Sequence, residues 1–503
     1  MQASLFLKLS TLRPISVRNN LNFNISDFIS FVWGNKNSMI KKACFLIFIV
    51  SCITAGIAQQ TTITGIIPGG AGFEIRLIAK IDYISNSEIL LDRNLIDSGN
   101  VFELNAPITE VRQLFLDLDY YQASIYLEPG KNLQVIMDSV SLEDQYRPFY
   151  EKEPLVFRIV SESLGELNNL IFRFDELYND FLVKNFQSIY HRRNKSLIAA
   201  FKSEMDQKYA GIDNLYFKNY LDYKIAAIEL SAVGTNKPEL FRKFLLGKPI
   251  LYFHSAYMDF FNQFFDHYLT AGNKFVSEKD LEKGINELVS LPALLDSLGK
   301  DTLLLSESLR ELVIIKSLQE LYFSPYYFPQ NILTILDQLI ETSPFAIHRS
   351  IVRNVQKGLT RLQKGTIAPD FSLHDLNGNP ARLLDHAGKP VYISFLTTWT
   401  YACLAEFKIL DTLFGTWGND IDFITVSLDK NPEVVTRFKE EKNYNWTFLY
   451  NGTGYDLIRD YGIKTFPLFV LIDGEGKILQ YPAVKPSEGI GDVFTYLKEK
   501  SKE

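Results

Sequence analysis

Trp399-Thr400-Tyr401-Ala402-Cys403 is the stretch on which the reading of this chain turns. Just before it, Val391–Leu396 is an apolar run of strand length, and the pattern from Tyr401 onward is helical. The five residues are therefore predicted to form a strand-to-helix turn. A thiol at the start of such a helix is acidified by the helix dipole and the free N–H groups. Disulfide exchange by a dithiol also needs a second thiol, three residues on, to resolve the mixed disulfide. Here Thr400 fills the first place and only the second, Cys403, carries sulfur. A hydroxyl at position 400 is expected to cap the helix by accepting a backbone N–H bond, and it cannot exchange with a disulfide. Cys403 reads either as a small apolar filler beneath the helix or as a monothiol.

The chain has two other cysteines, Cys44 and Cys52, and both lie in a segment with the order of a secretory signal. Met39-Ile40-Lys41-Lys42 is a short basic start, an apolar run covers residues 43–57, and Gly56-Ile57-Ala58 offers small residues for cleavage before Gln59. The run is shorter than the ~20 residues that span a bilayer. Residues 1–38 do not fit this scheme, and Met39 is expected to be the true start, with the upstream segment arising from a mis-set start codon. Ile49-Val50-Ser51-Cys52 also resembles a lipoprotein box, which would attach the chain to a membrane through Cys52. Either route leaves Cys403 as the one thiol of the mature chain, so an intramolecular disulfide is excluded.

The 503 residues suffice for two or three domains beyond the leader. A net charge of −7, without a Lys/Arg cluster interleaved with aromatics, gives no electrostatic reason to bind nucleic acid. None of His191, His254, His267, His348, His374 and His386 shows metal-ligand spacing, and neither a metal nor another cofactor is expected.

The expected fold class is multidomain α+β. Residues 59–150 read as a small β-sandwich, with alternating runs at 62–67, 73–83 and 101–104 separated by turns. Residues 124–127 and 133–137, joined by Glu128-Pro129-Gly130-Lys131, read as a hairpin, and so does the Pro68-Gly69-Gly70-Ala71-Gly72 turn. Residues 151–363 change to helical periodicity, as in Leu305, Leu309, Leu312, Ile315 and Leu318, with prolines marking six to eight helices. Within them residues 252–268 are aromatic-rich, which suits a packed core or a partner face. Residues 364–503 return to alternating strands and helices, an α/β layer with a central sheet.

That last segment resembles the periplasmic thioredoxin-like family of the TlpA and ResA proteins. The resemblance is carried by Ala368-Pro369-Asp370-Phe371-Ser372-Leu373, by Asn377-Gly378, and by residues 383–389 with their Gly-Lys ending. It continues through the approach Ser394-Phe395-Leu396-Thr397-Thr398-Trp399, the next core strand at 423–429, Thr465-Phe466-Pro467, and Leu471-Ile472-Asp473-Gly474. It implies a thioredoxin fold, a cis-proline at Pro467 beside the active-site sulfur, and an acidic partner for that sulfur at Glu406. The usual Trp-Cys-x-x-Cys motif is here Trp-Thr-x-x-Cys. The front of the chain resembles the β domain that precedes such domains in Bacteroidetes envelope proteins.

Two functions from different classes follow. One is a binding or accessory protein of the periplasm or cell envelope. In it Trp399, Thr400, Phe466 and Pro467 form a groove for an envelope protein or peptide, and the aromatic-rich helical stretch adds partner contacts. The other is a thiol-dependent oxidoreductase using Cys403 alone, with Glu406 exchanging protons with it. A peroxidase, for which Thr-x-x-Cys is also a signature, is disfavoured. Its motif needs a proline where Leu396 stands and an arginine near the place of Pro467.

Overall fold

Alternation between buried and exposed side chains sets the architecture of the first third of the chain. A computed structural model describes residues 59–500, apart from Tyr120, 141–151, 161–164, 234–236, 273–274 and Thr453. The expectations placed on residues 1–58, including the leader, Cys44 and Cys52, lie outside the described residues. Among the described residues nine strands come first: β1 (Gln59–Ile66), β2 (Glu74–Lys80), β3 (Glu88–Leu95), β4 (Val101–Ile108), β5 (Arg112–Leu118), β6 (Tyr121–Leu127), β7 (Leu133–Met137), β8 (Glu153–Pro154) and β9 (Phe157–Ile159). They form two sheets, ordered β4-β1-β7-β9 and β3-β2-β5-β6-β8. In β4 every second residue, Phe102, Leu104, Ala106 and Ile108, is buried. These meet Leu77, Leu114, Leu116, Ile125 and Leu127 of the other sheet in one core, as a sandwich requires.

The two expected hairpins are not hairpins. The Glu128–Lys131 turn joins β6 to a strand of the other sheet, because β7 pairs in parallel with β1. Thr61 holds that turn: its hydroxyl donates to the Glu128 carbonyl at 3.2 Å and accepts the Gly130 N–H at 3.0 Å. The glycine turn after Ile66 likewise crosses from one sheet to the other. The sheets also run past residue 150, through β8 and β9.

Ten α-helices lie between Leu167 and Thr360 among the described residues, more than the six to eight expected. The excess comes from short ones, such as Lys237–Phe244, Glu278–Glu282 and Leu291–Leu298, which hold too few turns to show a period. The aromatic-rich stretch forms the helix Ser255–Phe264, whose Tyr257, Phe260, Phe261 and Phe264 are buried in the helical core together with Phe265. The partner face expected of it is therefore turned inward. Tyr83, Ile84 and Tyr126 of the sandwich join the same core, and Asn168 exchanges two hydrogen bonds with the Tyr126 backbone.

The last third holds β10 (Ser372–Asp375), β11 (Pro380–Arg382), β12 (Val391–Leu396), β13 (Asp422–Ser427), β14 (Thr447–Tyr450), β15 (Leu468–Ile472) and β16 (Ile478–Gln480). They make one sheet, ordered β11-β10-β14-β13-β12-β15-β16. β12, β13 and β14 run parallel, and β15 returns antiparallel to β12. The sheet is buried on both faces. Ile393 and Phe395 enter one core, while Tyr392 and Leu396 enter the other with Phe407 and Leu410 of the helix Tyr401–Trp417. Ahead of β10 the incoming chain lies along β16: Ile478 donates to the Thr366 carbonyl, and Gly365 donates to the Ile478 carbonyl.

Candidate functional site

β12 and β13 end side by side, with the Leu428 N–H donating to the Leu396 carbonyl at 3.0 Å. The chain then turns from β12 into the helix Tyr401–Trp417 under the control of one carboxylate. Thr398 donates its N–H to both oxygens of Asp429, each at 3.1 Å, and its hydroxyl to one of them at 2.8 Å. Ser427 donates its hydroxyl to the other at 2.8 Å. Burial raises the Asp429 pKa, and the Ser427 and Thr398 hydrogen bonds oppose that shift.

Thr400 is the residue at the helix N-terminus, with extended backbone (φ −84°, ψ 134°), but its side chain caps nothing. Its hydroxyl lies 2.7 Å from that of Thr397 instead. Thr397 is buried, and a buried hydroxyl without a partner is costly. That demand draws Thr400 inward, against the expected cap. The Thr397 hydroxyl also points to the sulfur of Cys403 at 3.8 Å.

Cys403 has no exposed surface and sits in the apolar core with Tyr392, Leu396, Phe407 and Leu410. Burial raises its thiol pKa, the hydroxyls of Thr400 and Thr397 work in the opposite direction, and the Asp429 charge adds to the rise. This is the reverse of the acidified thiol that disulfide exchange uses. Glu406 is also buried, but its carboxylate faces elsewhere. It accepts the Ser487 N–H at 3.0 Å and the Ser487 hydroxyl at 2.5 Å, pinning the turn that precedes the C-terminal helix. Among the described residues no hydrogen bond joins Glu406 to Cys403.

The remaining expected residues do converge. Trp399 meets the Phe466 ring edge-on at 5.8 Å, and the Phe466–Pro467 peptide bond is cis. Pairing of β15 with β12 brings this segment alongside the turn. Tyr401, the next residue of the motif, is 88% exposed. Among the described residues no group of three or more His, Cys, Asp or Glu side chains is placed to hold a metal. Thr397 and Asp429 were missed from sequence, although Ser427-x-Asp429 at the end of a core strand was a usable signal.

The family profile described as Redoxin matches residues 363–497. A thiol-disulfide oxidoreductase ResA of Bacillus cereus is 26% identical over 140 residues, which is 28% of this chain and 79% of the relative. The thioredoxin-like protein YneN of Bacillus subtilis is 28% identical over 120 residues, 23% of this chain and 69% of its own length. The C-terminal segment is a Redoxin domain similar to the ResA and YneN proteins, which supports a TlpA/ResA-like thioredoxin fold. Among solved structures, the thioredoxin domain of a thiol-disulfide oxidoreductase from Bacteroides vulgatus is 26% identical, with a TM-score of 0.26. That alignment covers 27% of this chain and 98% of that one. In this domain Trp399, Thr400 and Cys403 lie in one turn, and the Phe466–Pro467 bond is cis. Among the described residues no helix is long and apolar enough to cross a membrane.

Proposed function

We propose that this chain is an exported cell-envelope protein whose thioredoxin-type site recognises a partner rather than exchanging disulfides. The observation that carries this reading is a hydroxyl, that of Thr400, at the head of the helix and a fully buried Cys403 three residues on. The accessible position has no sulfur, and the sulfur that remains has a raised pKa. The groove beside Trp399, Thr400, Phe466 and Pro467 takes an extended segment of an envelope protein or peptide, main chain against main chain. The location is periplasmic, with membrane attachment only if Cys52 is lipidated. Insulin reduction by the purified chain from Gln59 onward tests the reading, and no turnover above the dithiothreitol background is expected. Clear turnover overturns it.

A second reading has one observation in its favour, the threonine hydroxyls around the Cys403 sulfur. They could stabilise a thiolate exposed by local opening, and Cys403 would then act as a monothiol with an external resolving thiol. Any disulfide exchange or peroxide consumption would have to vanish in Cys403→Ser. Survival of activity in that variant removes this reading.

A further inference from the structure

We propose that the front β-sandwich is part of the site, and that Asp119 positions the Trp399–Cys403 turn through Lys430. The inference rests on reading that turn as the working site. Asp119 stands at the tight β5–β6 connection, in the left-handed region at φ 52°, which Asp and Asn tolerate better than most residues. One of its carboxylate oxygens is 2.9 Å from the ammonium of Lys430, and both side chains are largely buried, 5% and 13% exposed. Lys430 directly follows Asp429, whose carboxylate holds Thr398 by three hydrogen bonds. The Lys430 carbonyl accepts the Tyr450 hydroxyl at 2.7 Å, so both ends of this residue are fixed.

The sandwich side of the contact is built as firmly. Lys152 donates to the Asp119 carbonyl at 2.7 Å and to the Asp117 carboxylate at 2.6 Å, and Arg76 pairs with Asp117 at 2.9 Å. The Arg76 guanidinium also lies over the Tyr455 ring at 5.0 Å. Ion pairs, joined by the Lys152 hydrogen bond to the Asp119 carbonyl, thus connect β2 through the β5–β6 connection to the loop that carries Asp429. Partly buried charges at these distances are little screened by salt, and removing one weakens the hold on its partner. The Asp429 loop is therefore held in place from a second domain, and the opening of the turn over Cys403 is coupled to that hold. A second ion pair between the same two domains, Arg93 with Asp456 at 3.0 Å, is half exposed and does not touch the Asp429 loop.

The test is the alkylation rate of Cys403 in the whole native chain with iodoacetamide, read by mass at the Cys403 peptide, with urea unfolding measured in parallel. Asp119→Asn, which suits the left-handed backbone, and Lys430→Gln are each expected to label about tenfold faster than the parent, through local opening. Lys430→Arg should stay close to the parent, and Arg93→Gln should not accelerate labelling. Combining Asp119→Asn with Lys430→Gln should add little to either alone, since both remove one interaction. Unchanged labelling in both single variants overturns the proposal, as does equal acceleration by Arg93→Gln. So does acceleration fully accounted for by lost global stability. Each readout concerns the opening of the turn, so it stands or falls apart from whether the groove binds a peptide.

Discussion

The hydroxyl of Thr400 lies 2.7 Å from the hydroxyl of Thr397, turned into the protein and away from the helix that Thr400 heads. Position 400 therefore has a side chain that contributes no cap. Thr400→Cys is expected to cost ~1–2 kcal/mol: no cap is lost, but the buried Thr397 hydroxyl exchanges an oxygen partner for a weaker sulfur one. It rebuilds a Cys-x-x-Cys turn. Mild oxidation should then consume two free thiols, and insulin reduction should rise clearly above the parent. A folded variant with no gain would place the loss of activity elsewhere in the site.

Cys403 should label slowly with iodoacetamide in the native chain and at least ~100-fold faster in denaturant, as expected when reaction requires opening of a core position. Alkylation consumes the thiolate, and burial raises this pKa. The native rate should therefore still be climbing with pH above the ordinary thiol range of about 8.5. A plateau at or below neutrality would contradict the buried environment.

Glu406→Ala should destabilise the chain by ~1–3 kcal/mol, since it removes two charge-assisted hydrogen bonds that tie the Ser487 turn to the helix. Urea unfolding measures that loss. The pH profile of Cys403 alkylation should not move. A shifted profile would restore the proton exchange that the geometry argues against.

His254 makes stability pH-dependent. Its Nδ1 accepts the Tyr257 N–H at 3.3 Å and its Nε2 lies 3.0 Å from the Tyr216 carbonyl, an arrangement that needs the neutral ring. Burial lowers its pKa from 6.5 to about 4. Between those values the unfolded chain binds the proton first, so this contribution is intact above pH 6.5 and is lost as pH falls towards 4. The loss amounts to roughly 2–3 kcal/mol. Unfolding free energies across that interval should show the slope, and His254→Asn should flatten it.

Much of the C-terminal domain was legible because its strands carry their own signal. Val391–Leu396 is buried on both faces and reads as an apolar run, and Leu133–Met137 in the sandwich was found with its observed ends. β3, with Glu88, Asp92 and Arg93 on an outer strand of its sheet, shows no alternating core pattern and was overlooked. The two misread hairpins failed for a different reason: a turn sequence fixes the reversal of the chain but not which sheet the next strand joins. In the site, Trp399, Cys403 and Pro467 could be found because they sit in short local motifs. Asp429 acts across two strand ends and Asp119 acts from another domain, and such distant partners leave no spacing to read.

The segment laid against β16 decides how the molecule can be dissected. Ile478 uses both its N–H and its carbonyl on Gly365 and Thr366, and the Ala368 N–H is taken by the Gly476 carbonyl. A fragment begun at the first strand of the domain, at Ser372, would bare an outer sheet edge that the intact chain keeps covered, an invitation to self-association. Dissection of the thioredoxin domain from the rest should therefore cut upstream, inside the helix Ala346–Thr360.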